Sequence, residues 1–221
     1  MKKIIAFLLL IITITALCAC KKETDYSPFI SQYRSDVLYG ENDNYVIYAL
    51  SETREKNYVH DGVCGETEKV VILKLTAKTP KNGKITATFT TDKEYSAEFE
   101  FIPSENAFVC KVRVETLPSS LLTSTVTSGE NSENVELYSK LKSDTVSPKK
   151  AIKAVCDKYP ELISSLNNEY GFNAEINVRL IAENDANFWY VGFIDKDNAH
   201  AYLVDGKTCK IIAEKTIAND K

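Results

Sequence analysis

Hydrophobic and polar positions change their texture along the chain. From Ile4 to Leu17 an apolar run is interrupted only by Thr13 and Thr15. From Tyr26 to about Leu141, short runs rich in Val, Ile, Thr, Tyr and Phe alternate with polar turns. The runs are YVIYAL (45–50), KVVILKLTA (69–77), KITATFTT (84–91), YSAEFEFI (95–102), AFVCKVRVE (107–115) and NVELYSKL (134–141). Period-two alternation puts Ile85, Ala87 and Phe89 on one face, and Phe108, Cys110, Val112 and Val114 on another. KTPKNGK, TDKE, PSENA and SGENSEN supply the turns, with Asn82-Gly83 the pair favoured in tight hairpins. Strands of this length and spacing predict an antiparallel β-sandwich or barrel over residues 26–145.

Beyond the polar stretch KSDTVSP (142–148) the period changes. Ser147 is placed as an N-cap and Pro148 as the first helical residue. Ala151, Ile152, Val155, Tyr159, Leu162, Ile163 and Leu166 then draw one apolar stripe at helical spacing. Pro160 breaks the helix near Tyr159, and Gly171 is expected to end its second piece. In FNAEINVRLIA the residues Phe172, Ala174, Ile176, Val178 and Leu180 share a face. NFWYVGFI and HAYLV are joined by DKDNA, and CKIIAE follows the turn DGKT. A helix lying over consecutive antiparallel strands makes residues 146–221 a small α+β unit.

The apolar run at the start has a basic opening, Lys2-Lys3, and is too short for a membrane span, which needs roughly 17–25 residues. It reads as a secretory leader. Its end, Leu17-Cys18-Ala19-Cys20, resembles the lipobox of bacterial lipoproteins, with Leu three positions before a cysteine and a small residue just before it. The resemblance implies that residues 1–19 are removed and that Cys20 carries diacylglycerol, with 20–25 as a lipidated tether. Processing at Cys18 instead would put bulky Leu17 at the cleaved position. Two acyl chains anchor stably where one is marginal. The expected location is therefore the extracytoplasmic face of the cell membrane.

Removing residues 1–19 takes Lys2 and Lys3 with it, so the formal net charge goes from −4 to −6. An acidic mature chain gives no footprint for nucleic acid and no attraction to anionic lipid, leaving the anchor as the membrane contact. Cys64, Cys110, Cys156 and Cys209 remain, an even number that permits disulfides outside the cytoplasm. Cys156 to Cys209, within the C-terminal unit, is one candidate pair, and free buried thiols are the alternative. No spacing suggests a zinc site, a phosphate loop or a nucleophile elbow, so no metal or cofactor is expected.

The chemical candidates are few. VHDGVCGE sets His60, Asp61 and Cys64 close in sequence, the ingredients of an envelope enzyme's active loop, although nothing in a Gly-containing turn fixes their geometry. His200 falls on a strand face without a partner in its own motif. ENDN (41–44) and DKDN (195–198) contain fragments of a calcium loop and read as turns. Phe188, Trp189, Tyr190 and Phe193 are the densest aromatic cluster. If Phe188 and Tyr190 pack beneath the helix, Trp189 and Phe193 form an opposite face for docking a peptide; otherwise they are core.

Residues 147–215 resemble a PepSY-like domain in SPKKAIKAV, in the aromatic strand FWYVGFID and in AYLVDGKTCKII, where an Asp-x-x-Thr turn enters the last strand. Cys209 stands where that family usually has Gly, which bears on a left-handed turn position or offers a disulfide back to the helix. The resemblance implies a small non-catalytic module that restrains peptidases or binds protein segments near the envelope. Residues 26–145 are loosely similar to an immunoglobulin-like sandwich in strand count and spacing. Together these features point to a lipid-anchored binding protein that is not an enzyme, with a catalytic His60/Cys64 loop or a purely structural role as alternatives.

Overall fold

The computed structural model describes residues 24–57, 61–79 and 83–218. After a 3-10 turn at Ser27–Phe29 come β1 (Ile30–Glu41), β2 (Tyr45–Glu55), β3 (Thr67–Ala77), β4 (Ile85–Thr90), β5 (Glu94–Glu98), β6 (Glu100–Ile102), β7 (Ala107–Arg113), β8 (Leu121–Ser128) and β9 (Asn131–Ser139). Helices α1 (Pro148–Lys158) and α2 (Pro160–Ser165) follow, then the short hairpin β10 (Asn167–Asn168) and β11 (Gly171–Phe172). The chain closes with β12 (Glu175–Glu183), β13 (Ala186–Ile194), β14 (Asn198–Asp205) and β15 (Ile211–Ala218). The fold is mainly β, and all strands except β10 and β11 belong to one 13-stranded sheet.

Strands β1 to β9 curl into a nearly closed antiparallel sheet. From β1 the neighbours run β2, β3, β7, β6 in one direction and β9, β8, β4, β5 in the other. Only Phe99 separates β5 from β6, and its N–H donates to the Ile85 carbonyl at 2.9 Å. One short stretch of chain therefore bonds β4 with its first part and β7 with its second, which draws the sheet's two ends together. Two facing sheets were the expectation for a sandwich; here the hydrogen bonds run on around the ring. Leu38, Ile47, Leu73, Ile85, Phe89 and Leu137, each at most 2 % exposed, fill the interior. The ring encloses packed side chains. A Cβ at Gly40 would overlap the Glu136 carbonyl, so the close pass of β9 over β1 requires glycine there.

The C-terminal half follows its sequence pattern closely. Ser147 Oγ accepts from Lys150 N at 3.4 Å, capping α1, and Pro148 occupies the first turn. Pro160 separates α1 from α2 as its missing N–H dictates. The second helix ends at Ser165 and does not reach Gly171. Leu166 turns into the core at 3 % exposure, and the Asn167 side chain bonds back to the Ile163 carbonyl. β12 to β15 form a consecutive antiparallel meander whose one face packs beneath α1 through Ile176, Val178, Leu180, Val191 and Val204. The polar linker is tied down: Asn187 Oδ1 accepts from Lys142 N at 2.8 Å and from Thr145 Oγ1 at 2.7 Å.

Strand β1 serves both halves. It pairs with β2 along one edge; along the other, Ile30–Arg34 run parallel to β12 and Leu38–Tyr39 antiparallel to β9. A bulge between Arg34 and Asp36 marks the change of partner. Tyr26, Phe29, Ile30 and Tyr33 consequently pack on the C-terminal core, although in sequence they lie before β1 or in its first half. The seam between the two cores is polar. Glu52, fully buried, accepts from Arg34 Nε at 2.7 Å and from Gln32 Nε2 at 3.0 Å, and Ser31 Oγ donates to Asn177 Oδ1 at 2.8 Å.

Candidate functional site

The seating of the N-terminal segment creates a groove. The Phe29 N–H donates to the Tyr26 carbonyl at 3.1 Å in the 3-10 turn, which turns both rings inward. Tyr26 and Phe29 meet Phe172 edge-on at 5.2 Å and 4.9 Å between ring centres, and Phe172 in turn meets Phe193 at 6.2 Å. This aromatic chain clamps the segment without filling the space beside α1. Between them lies a groove of about 760 Å³, within the size range of ligand sites. Tyr26, Ile30 and Tyr33 line one wall; Ile152, Cys156 and Ile163 line the other.

The helical spacing explains the second wall. Ala151, Ile152 and Val155 are buried against the sheet, whereas Lys149, Lys153 and Cys156 sit further around the helix and edge the opening. Lys153 bonds Asp157 at 2.8 Å across one helical turn, so the rim carries paired charge above an apolar floor. Burial pushes the Tyr26 hydroxyl up to about 12, reinforced by the neighbouring Cys156. Burial likewise raises the Cys156 thiol, with the Tyr26 hydroxyl opposing the rise. Both groups stay neutral at physiological pH, and the groove offers apolar contact with hydroxyl and thiol donors.

No known protein family, curated protein or solved structure matches this chain.

Trp189 and Phe193 are not a docking face. They are 2 % and 0 % exposed and point beneath α1, so the alternative assignment of strand faces applies. The reason is visible at Trp189, whose Nε1 donates to the Val146 carbonyl at 2.9 Å and which stacks on Tyr33 at 6.5 Å. Phe188 and Tyr190 take the other face, where Arg179 lies 3.9 Å over the Tyr190 ring. The groove draws on Tyr26, Ile30 and Tyr33, which the sequence pattern did not connect to the helix because their contact is made across the parallel β1–β12 pairing.

The candidate Cys156–Cys209 disulfide is not formed; Cys64, Cys110, Cys156 and Cys209 are all free, as in the alternative of free thiols. Cys156 faces Tyr26, while Cys209 sits in the Asp205–Thr208 turn with φ 59. Asp205 Oδ1 accepts from Thr208 N at 2.7 Å and Thr208 Oγ1 at 2.8 Å, which forces the next residue into the left-handed region. An L-residue there costs about 1–2 kcal/mol, whereas glycine gives back about 0.5–1 kcal/mol through its freer unfolded chain. Cys209→Gly should therefore stabilise the protein by about 0.5–1 kcal/mol, raising the urea midpoint with no change in slope.

Cys20 and His60 lie outside the described residues. Burial, then the charges of Glu55 and Glu175, push the Cys64 thiol up, opposite to the direction a nucleophile needs. His200 bonds Thr216 Oγ1 through Nδ1 at 3.1 Å on strand β14. ENDN and DKDN are turns held by their own side chains: Asn42 Oδ1 accepts from Tyr45 N at 2.8 Å, and Asp195 Oδ1 accepts from Asn198 N at 2.7 Å. Among the described residues, no helix is long and apolar enough to cross a membrane.

Proposed function

We propose that this is a lipid-anchored, extracytoplasmic binding protein that holds an apolar segment of another envelope protein in the groove between β1 and α1. The groove is the observation that carries the reading: an apolar site of ligand size with neutral donors inside and ion-paired lysine at its rim. The lipobox-like Leu17–Cys20 supports the anchor, and the PepSY-like pattern of 147–215 supports protein recognition without catalysis, as a restrainer of a peptidase or a holder of protein segments. Thr24, at the groove, lies four residues beyond Cys20, a tether that spans at most about 14 Å. A groove so placed meets partners at the membrane surface.

The alternative of a His60/Cys64 enzyme is less well supported, because the Cys64 thiol is held protonated. A photo-reactive amino acid at rim position Lys153 should cross-link one partner polypeptide in intact cells, while the same group at exposed Lys84 on β4's approach should not. The captured segment, made as a peptide, should bind the protein in solution, and Ile163→Glu should weaken it at least about tenfold by placing a charge in the apolar wall. Equal capture from both positions, or binding that ignores Ile163→Glu, would refute the site.

A further inference from the structure

Glu175 opens β12 at the seam between the two cores and is fully buried. Neither of its carboxyl oxygens receives a hydrogen bond of full geometry: the Ser31 hydroxyl donates to Asn177, and it and the Gly62 N–H are the only donors close by among the described residues. Its surroundings add negative charge. Glu55, 3 % exposed at the end of β2, faces it, and Asp61 and Cys64 approach from the segment that covers it. That segment, Asp61–Glu66, is held at both ends. The Gly65 N–H donates to Glu55 Oε1, and Gly62, at φ 82, packs where a Cβ would sit 3.2 Å from Asp195 Cα in the β13–β14 turn. Behind it, His200 Nε2 stands 3.9 Å from Asp195 Oδ2.

A buried carboxylate without a hydrogen bond is strongly disfavoured, whereas the neutral acid is tolerated there. We propose that Glu175 is a proton-binding site whose proton keeps the Asp61–Glu66 segment closed over the β1–β12 junction, and that its loss releases the segment. Ionisation places a second charge beside Glu55 in a site shielded from solvent. The least costly escape is for the segment to lift, admitting water to both carboxylates and breaking the Gly65–Glu55 bond. Burial, then the charges of Glu55 and Asp61, push Glu175 up to about 7, while the Ser31 hydroxyl and Gly62 amide dipoles pull the other way. The sign follows from the raised value. The closed form binds the proton more tightly than the open form, so closure is complete at acid pH and is lost as pH rises through neutrality. An envelope protein would thereby expose Cys64 and the junction in response to external pH.

Hydrogen exchange of the full chain, corrected for intrinsic rates, tests this between about pH 5 and about pH 9. Protection of residues 61–66 should fall at least about tenfold across that range, while β3 amides keep theirs. Glu175→Gln, neutral at every pH, should stay protected throughout. Should that variant fail to fold, Glu55→Gln must shift the transition to lower pH, since it removes a charge that raises Glu175. Protection independent of pH, or a transition unchanged in Glu175→Gln, overturns the proposal. So does calcium restoring protection at high pH, which would make the pair a cation site.

Discussion

Trp189→Ala is expected to destabilise the protein by about 3–5 kcal/mol, the range for emptying a large aromatic from a packed core. Trp189 sits at 2 % exposure beneath α1 and its indole N–H holds the Val146 carbonyl at 2.9 Å, one residue before the helix cap. Truncation leaves a cavity against Ile152 and Val155 and an unpaired carbonyl at the point where the linker meets the sheet. Trp189→Phe keeps most of the ring volume and should cost about 1–2 kcal/mol, chiefly the lost hydrogen bond. Because Trp189 is the only tryptophan, unfolding has to be followed by circular dichroism in urea. A docking residue would behave in the reverse way, with normal stability and lost binding; that result would put Trp189 back on the surface.

Arg34→Met is expected to cost about 3 kcal/mol, because it leaves Glu52 buried with a single neutral donor, Gln32. The low end of the range for breaking a buried pair applies, since the Arg34 side chain keeps 18 % exposure against 1 % for Glu52. Adding Glu52→Leu to Arg34→Met should recover most of the stability, since a buried ion pair replaced whole by apolar side chains is often neutral. A double variant as unstable as the single one would mean that the seam depends on the charges for its geometry.

Those two sites show what the amino-acid pattern revealed and what it concealed. Ile85, Ala87 and Phe89 alternate with threonines, and each proves buried on the ring's inner face. The Ser147-Pro148 start and the break at Pro160 are local chemistry, readable without any partner. β1 carries no legible strand pattern, for a physical reason. ISQYRSDVLYGE changes partner midway, so its first half buries Ser31 and Gln32 against the seam and no period-two stripe survives. β8, LLTSTVTS, hides in the same manner, since fully buried Ser124 stands between Leu122 and Val126 on the inward face. The groove depends on β1 pairing parallel to β12, residues nearly a hundred and fifty positions apart, as the Ser31–Asn177 separation of 146 shows. No local motif encodes such a contact.

The proposed anchor is the Cys20 thiol. Cells expressing the full chain and fed an alkyne fatty acid should yield a labelled polypeptide. The label should persist in Cys18→Ser and vanish in Cys20→Ser, which should also accumulate unprocessed. An unlabelled parent, or a Cys20→Ser form that still carries the fatty acid, would contradict the placement at the membrane and, with it, the groove's role there.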